Sequence, residues 1–99
     1  MMDKEVSGVA QGEMVGAWTA YRAPTPEEIG MFKKTITLLG VEYTPLAVST
    51  QVVSGMNYRF ACNAKVVYPN ALNHLAIVGI YKDTAGHTSV TGITSCPGS

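Results

Sequence analysis

A chain of 99 residues has the length of one domain with a single hydrophobic core. Its content of 46% hydrophobic and 14% charged residues excludes an intrinsically disordered chain. Seven basic residues balance seven acidic ones, and no apolar run approaches the roughly 20 residues of a membrane helix, so neither a nucleic-acid partner nor a membrane partner is expected.

The N-terminal segment divides into two parts of different character. Residues 1–13 are polar and lack periodicity, which predicts a flexible tail ahead of a single folded domain over residues 14–99. The tail does not form a signal peptide, which leaves open both a cytoplasmic protein and a secreted one whose signal has been removed. The apolar pair Met14 and Val15 then precedes Gly16, a flexible joint.

Trp18, the only Trp, follows this joint. One interpretation of the segment is a first strand that packs Val15 and Trp18 on the core.

Residues 25–40 predict one amphipathic helix. Thr25 is the N-cap, Pro26 takes the first helical position, and Glu28 completes a capping box. Gly40 is the candidate C-cap, which gives a helix of about four turns, or roughly 21 Å. Apolar residues recur at helical spacing and form one stripe: Ile29, Phe32, Ile36 and Leu39.

The rest of the chain predicts β-strands. Residues 56–68 alternate between apolar and polar side chains, as in an antiparallel sheet with a helix on one face. Pro45 stands at the entrance of the preceding strand, where no ladder hydrogen bond is lost. The predicted strands cover residues 46–53, 56–68, 74–83 and 88–96. One helix with four or five antiparallel strands is an α+β domain of two layers.

The stretch from Gln51 to Gly55 predicts a tight turn between two of these strands. Ser54 and Gly55 form the turn, because Gly tolerates the positive φ that hairpin turns require. The two β-branched residues before it, Val52 and Val53, are either a strand end inside the core or a contact surface. The periodicity leaves both interpretations open.

The sequence Gln-Val-Val-Ser-Gly, followed by Asn57 and Tyr58, resembles the QVVAG hairpin of the cystatins, which are wedge-shaped inhibitors of papain-like cysteine proteases. The Thr-Pro-Glu helix start, the Gly upstream of it and the downstream strands occur in cystatin order. The resemblance covers about residues 15–93. It implies a cystatin-like fold, in which one helix packs across a four- to five-stranded antiparallel sheet, and reversible, non-covalent inhibition by a protein that is not an enzyme and has no cofactor.

The resemblance also implies which residues meet the protease. An N-terminal arm, the hairpin and the loop between the last two strands form the wedge, and Gly55 lets the hairpin backbone come close to the enzyme. The partner is a papain-like cysteine protease, and the inhibitor is a monomer, with a domain-swapped dimer as an alternative. The residues expected at the interface are Met14, Val15, Gly16, Gln51, Val52, Val53, Ser54, Gly55, Asp83, Thr84, Ala85, Gly86 and His87.

Three departures from the cystatin pattern stand out, and the first two favour a second hypothesis. Ala17 replaces one residue of the Gly pair that many relatives carry. The loop over residues 83–87 is polar, is predicted to be flexible, and lacks the Pro-Trp or Leu-Pro pair of the family. The third is that the region from Pro26 to Gln51 is several residues shorter than in a typical stefin, which predicts a helix about two turns shorter than theirs and concerns stability more than function. The alternative function is therefore a cystatin-fold interaction module that does not inhibit.

Catalytic and metal chemistry have weaker support. Cys62 lies on the apolar face of its strand, where a thiol is usually inert. The spacing of His74, Asp83 and His87 matches no familiar zinc site, so surface histidines are expected. In the strand order that the resemblance implies, one strand separates Cys62 from Cys96 by about 10 Å, which predicts two free thiols.

Overall fold

The computed structural model describes residues 16–37 and 40–96 and shows one helix against a four-stranded antiparallel sheet. The strands follow the chain across the sheet in the order β1-β2-β3-β4. This architecture confirms the α+β prediction. The predicted tail, Met14 and Val15 lie outside the described residues. The elements are α1 (Pro26–Thr35), β1 (Val41–Val53), β2 (Gly55–Val66), β3 (Asn73–Lys82) and β4 (Thr88–Cys96).

The predicted start of α1 is confirmed at atomic detail. The Glu28 backbone N–H donates to Thr25 Oγ1 at 3.1 Å, and the Thr25 N–H donates to Glu28 Oε1 at 2.9 Å. Arg22 adds two bonds of 2.8 Å to the same carboxylate. The Arg22 guanidinium is the main cause that lowers the pKa of Glu28 to about 2, with the Thr25 bonds adding to it.

The predicted end of α1 is wrong. The helix stops at Thr35, and Ile36 is extended, with φ −93° and ψ 101°. Thr35, Ile36 and Thr37 are all β-branched, and such side chains lose rotamer freedom in a helix. The helix therefore ends before Ile36, which belongs to the predicted apolar stripe. The helix has 10 residues and is about 15 Å long. Leu39, the last residue of the stripe, lies outside the described residues.

The first strand begins earlier than the sequence predicts. β1 starts at Val41, and Pro45 lies inside it rather than at its entrance. The register shifts between Pro45 and Ala47, which is a β-bulge. A proline is accommodated there because β1 is at the edge of the sheet and the bulge interrupts the ladder.

The hydrophobic core lies between α1 and one face of the sheet. The alternation predicted for β2 is confirmed from residue 58 to 65, where Tyr58, Phe60, Cys62 and Ala64 are buried and Arg59 and Lys65 are exposed. The strand ends at Val66, two residues before its predicted end. The rings of Phe32 and Phe60 meet edge-on, with their centroids 4.9 Å apart. The buried cluster consists of Phe32, Val48, Tyr58, Phe60, Cys62, Val78 and Ile80.

Residues 16–22 lie along the outer edge of β1 and are joined to it by backbone hydrogen bonds. The Gly16 N–H donates to Val52 O at 3.0 Å, and Arg22 and Val48 exchange bonds of 3.0 and 2.8 Å. Trp18 is not in the buried core. The guanidinium carbon of Arg59 lies 3.8 Å from the centroid of the Trp18 ring, on the face of the sheet away from α1. The interpretation that Trp18 packs on the core is therefore wrong.

Within residues 16–37 and 40–96, no helix is long and apolar enough to cross a membrane.

Candidate functional site

Three of the segments singled out in the sequence meet at one end of the sheet, which we call the loop end. Gly16 is bonded to Val52 in the β1–β2 hairpin. Met56 at the start of β2 pairs with Lys82 at the end of β3, so the hairpin lies beside the loop that follows Lys82. The loop end is thus formed by Gly16, the hairpin tip (residues 52–55) and the β3–β4 loop (residues 83–87).

The hairpin tip presents one valine to solvent. Val53 pairs with Gly55 and leaves Ser54 alone at the bend. Gly55 has φ +101°, so the turn chemistry predicted for it is confirmed. Val52 is 61% exposed, and Val53 is partly buried but is not part of the core cluster. Of the two interpretations of the valine pair, the contact surface fits Val52.

Gly55 has an intramolecular role that sequence reasoning missed. A Cβ built on it would clash with the Lys82 carbonyl oxygen and would stand 3.1 Å from the Asp83 Cα. The Tyr81 hydroxyl donates a hydrogen bond to the Ser54 carbonyl oxygen, which fixes the bend against the end of β3. Gly55 is therefore required by the packing of the hairpin on the next loop, whatever else the hairpin contacts.

The Gln51 side chain holds the N-terminal segment against the hairpin. Its Nε2 donates to the Gly16 carbonyl oxygen at 3.0 Å, and its Oε1 accepts from Asn57 Nδ2 at 3.0 Å. Gln51 and Asn57 are opposite each other across the hairpin. Sequence reasoning named Gln51 as a contact residue and missed Asn57. The signal for Asn57 is its place as a polar residue directly across the predicted turn.

The β3–β4 loop is closed by hydrogen bonds to Asp83. Its carboxylate Oδ1 accepts from the His87 N–H at 2.8 Å and from the Ala85 N–H at 2.9 Å. Two backbone bonds, Asp83 N–H to His87 O at 2.9 Å and Gly86 N–H to Asp83 O at 3.0 Å, complete the turn. The bond from the His87 backbone is the largest cause that lowers the pKa of Asp83. These bonds constrain a loop that was predicted to be flexible, and residues 84–87 remain exposed.

The two histidines are far apart. His87 Nδ1 lies 3.3 Å from Asp83 Oδ2 at the loop end. His74 is near the other end of β3, where its Nε2 is 3.4 Å from Ser95 Oγ. Among the residues that the structure describes, no group of three potential ligands could hold a metal ion.

The prediction of two free thiols is confirmed. Both cysteines are free, and β3 lies between the strands that carry them. Cys62 is fully buried, and this burial raises the pKa of its thiol to about 12. A thiol of that kind is neutral at physiological pH and inaccessible to a substrate.

No protein-family model, no curated protein and no solved structure matches this chain, so its function is argued from the loop end itself.

Proposed function

We propose that the chain has a cystatin-like arrangement and is a reversible, non-covalent inhibitor of papain-like cysteine proteases. The loop end enters the active-site cleft, with the N-terminal arm (residues 14–16), the hairpin tip and the β3–β4 loop in contact with its walls. The observation that carries this proposal is the exposed Val52 at the tip of a hairpin that is flanked on one side by Gly16 and on the other by the loop.

The hairpin tip blocks the cleft by filling it. Val52 leaves water and contacts the apolar part of the slot, and this burial stabilises the complex. The tip is already held by Tyr81, and Gly16 is already held by Gln51, so little conformational freedom is lost on docking. Inhibition follows because the hairpin presents no scissile carbonyl to the catalytic thiol, and nothing is cleaved.

The β3–β4 loop supports a second candidate, a cystatin-fold interaction module that does not inhibit. Its exposed residues are Thr84, Ala85, Gly86 and His87, and none of them has a large apolar side chain of the kind that anchors tight interfaces. In this candidate the same loop end binds a partner without an active-site cleft.

Titration of papain distinguishes the two candidates. An inhibitor gives a linear loss of activity against a fluorogenic peptide up to a stoichiometric end-point. Papain activity that stays constant at a large excess of the protein would reject the inhibitor.

Removal of residues 1–15 tests the contribution of the arm. We expect the inhibition constant to rise, and to rise more for some papain-like proteases than for others, because the arm occupies the substrate subsites in which these enzymes differ. An unchanged constant for papain and for a cathepsin would remove the arm from the mechanism.

A further inference from the structure

We propose that the outer edge of β4 is a self-association surface, which pairs in antiparallel fashion with the same edge of a second copy of this chain. The inference concerns a different part of the molecule from the loop end and does not depend on protease inhibition.

The two edges of the sheet differ in how they are covered. Residues 16–22 bond to the outer edge of β1 from Val48 to Val52. The remaining part of that edge carries Glu42 and Pro45, which both disfavour pairing with another strand. No backbone group of residues 16–37 or 40–96 bonds to the outer edge of β4. This strand therefore presents a row of backbone donors and acceptors.

The side chains of β4 do not oppose pairing with a second copy. The nine residues Thr88–Cys96 include no charged residue and no proline. The whole chain has a formal net charge of zero at pH 7, so two copies approach without long-range repulsion. An identical strand is also a matching partner, because in an antiparallel pair both edges present the same alternation of donors and acceptors.

The bulge in β4 selects the register. Gly79 pairs with Gly92 and Ile80 pairs with Val90, so Thr91 is an extra residue on β4. The regular stretch beyond it is Gly92–Cys96, and its midpoint is Thr94. A two-fold axis at Thr94 places the two Thr94 residues opposite each other, and Thr–Thr pairs across strands are favourable.

This register brings no charged side chains together beside Thr94. Ile93, which packs against the core cluster, comes opposite Ser95 of the second copy. Five residues on each side bury a small area, so the dimer is weak and depends on concentration.

The geometry separates this surface from the loop end. Strands that pair in antiparallel fashion point in opposite directions, so the two loop ends lie at opposite poles of an eight-stranded sheet. Both loop ends stay accessible in the dimer, so the loss of self-association leaves any activity of the loop end intact.

Sedimentation over a dilution series tests the self-association. The full chain is expected to shift from monomer to dimer as its concentration rises. Thr94→Lys places two like charges opposite each other and is expected to abolish the dimer at every concentration. Thr44→Lys is the matched control, because Thr44 is also exposed, lies on an edge strand and gains the same charge. It is expected to leave the dimer unchanged, and circular dichroism checks that both variants fold.

Cross-linking tests the register. With Thr94→Cys in a Cys96→Ser background, the facing Cα atoms lie about 5 Å apart, within the reach of a disulfide. In the same register the two native Cys96 residues are four residues apart along the strands, or about 14 Å, and do not bridge. Mild oxidation is therefore expected to give a covalent dimer several-fold faster for this variant than for Thr44→Cys in the same background.

Three results would overturn the proposal. One is a chain that remains monomeric over the whole dilution series. Another is a dimer that survives Thr94→Lys, as a domain-swapped dimer would. The third is equal cross-linking rates for the cysteines at positions 94 and 44.

Discussion

Replacing Val52 by Asp tests whether the hairpin tip binds another molecule. Val52 is 61% exposed, so docking into an apolar cleft removes more than half of its surface from water. Full burial of a valine contributes about 1.5 kcal/mol, so about 0.9 kcal/mol of this gain is made only on binding. A carboxylate in the same place must lose its water without a partner, which costs several kcal/mol more. We expect the inhibition constant for papain to rise at least 30-fold, or about 2 kcal/mol.

The same substitution should have little effect on folding. Less than half of Val52 is buried, so the free energy of unfolding should fall by less than about 1 kcal/mol. Val67→Asp is the matched control, because Val67 is 60% exposed and follows β2 at the opposite end of the sheet. The assays are papain inhibition with a fluorogenic peptide and urea unfolding, applied to both variants.

Two results would refute the reasoning. Equal inhibition constants for the two variants would mean that the hairpin tip does not touch the protease. A loss of unfolding free energy in Val52→Asp as large as its loss of binding free energy would mean that Val52 supports the fold instead.

Three further predictions concern substitutions of Gly55, Gln51 and Glu28. Gly55→Ala should lower the free energy of unfolding by about 1–3 kcal/mol more than Gly86→Ala in urea unfolding, because both glycines have positive φ but only a Cβ at Gly55 meets backbone atoms. Gln51→Ala should raise the papain inhibition constant several-fold by releasing Gly16, and this effect should shrink when residues 1–15 are also removed. Glu28→Gln should reduce stability by about 1 kcal/mol at pH 7, since the ion pair with Arg22 is partly exposed. Acid titrations of unfolding should show this difference above pH 4.5 and its loss as the pH falls towards 2, because the folded state lowers the pKa of Glu28 and so favours its ionised form.

Each of these predictions has an outcome that contradicts it. Equal losses for the two glycine variants would reject the clash at Gly55. An effect of Gln51→Ala that is undiminished without residues 1–15 would mean that Gln51 acts directly on the protease. A stability difference for Glu28→Gln that persists at pH 2 would assign it to something other than the carboxylate charge.

The features that the sequence predicted well depend on neighbouring residues. The start of α1 follows from the side chain of Thr25 and from Glu28 three positions later. The bend follows from the positive φ that only Gly55 adopts easily. The bounds of β4 were predicted at both ends, because turn residues stand before Thr88 and a proline follows Cys96.

The features that the sequence missed depend on contacts between distant residues. The apolar stripe predicts that α1 continues beyond Thr35, whereas the helix ends there. The Thr35 hydroxyl is hydrogen-bonded to that of Thr88 in β4, and the extended Ile36 packs against the core cluster. One interpretation of the sequence packs Trp18 on the core, whereas a cation–π contact with Arg59 holds it on the other face. The clash that excludes a side chain at Gly55 involves Lys82, which sequence patterns alone do not bring near.

The buried thiol of Cys62 has a practical consequence for measuring how often this protein opens. A thiol-specific alkylating reagent reacts only with an accessible thiolate. In the folded chain the Cys62 thiol is buried, and its raised pKa keeps it protonated. The rate at which Cys62 is labelled in a Cys96→Ser background therefore reports the population of opened molecules. The protein thus carries a native probe of its own fluctuations in the middle of β2, without a dye or an engineered tag.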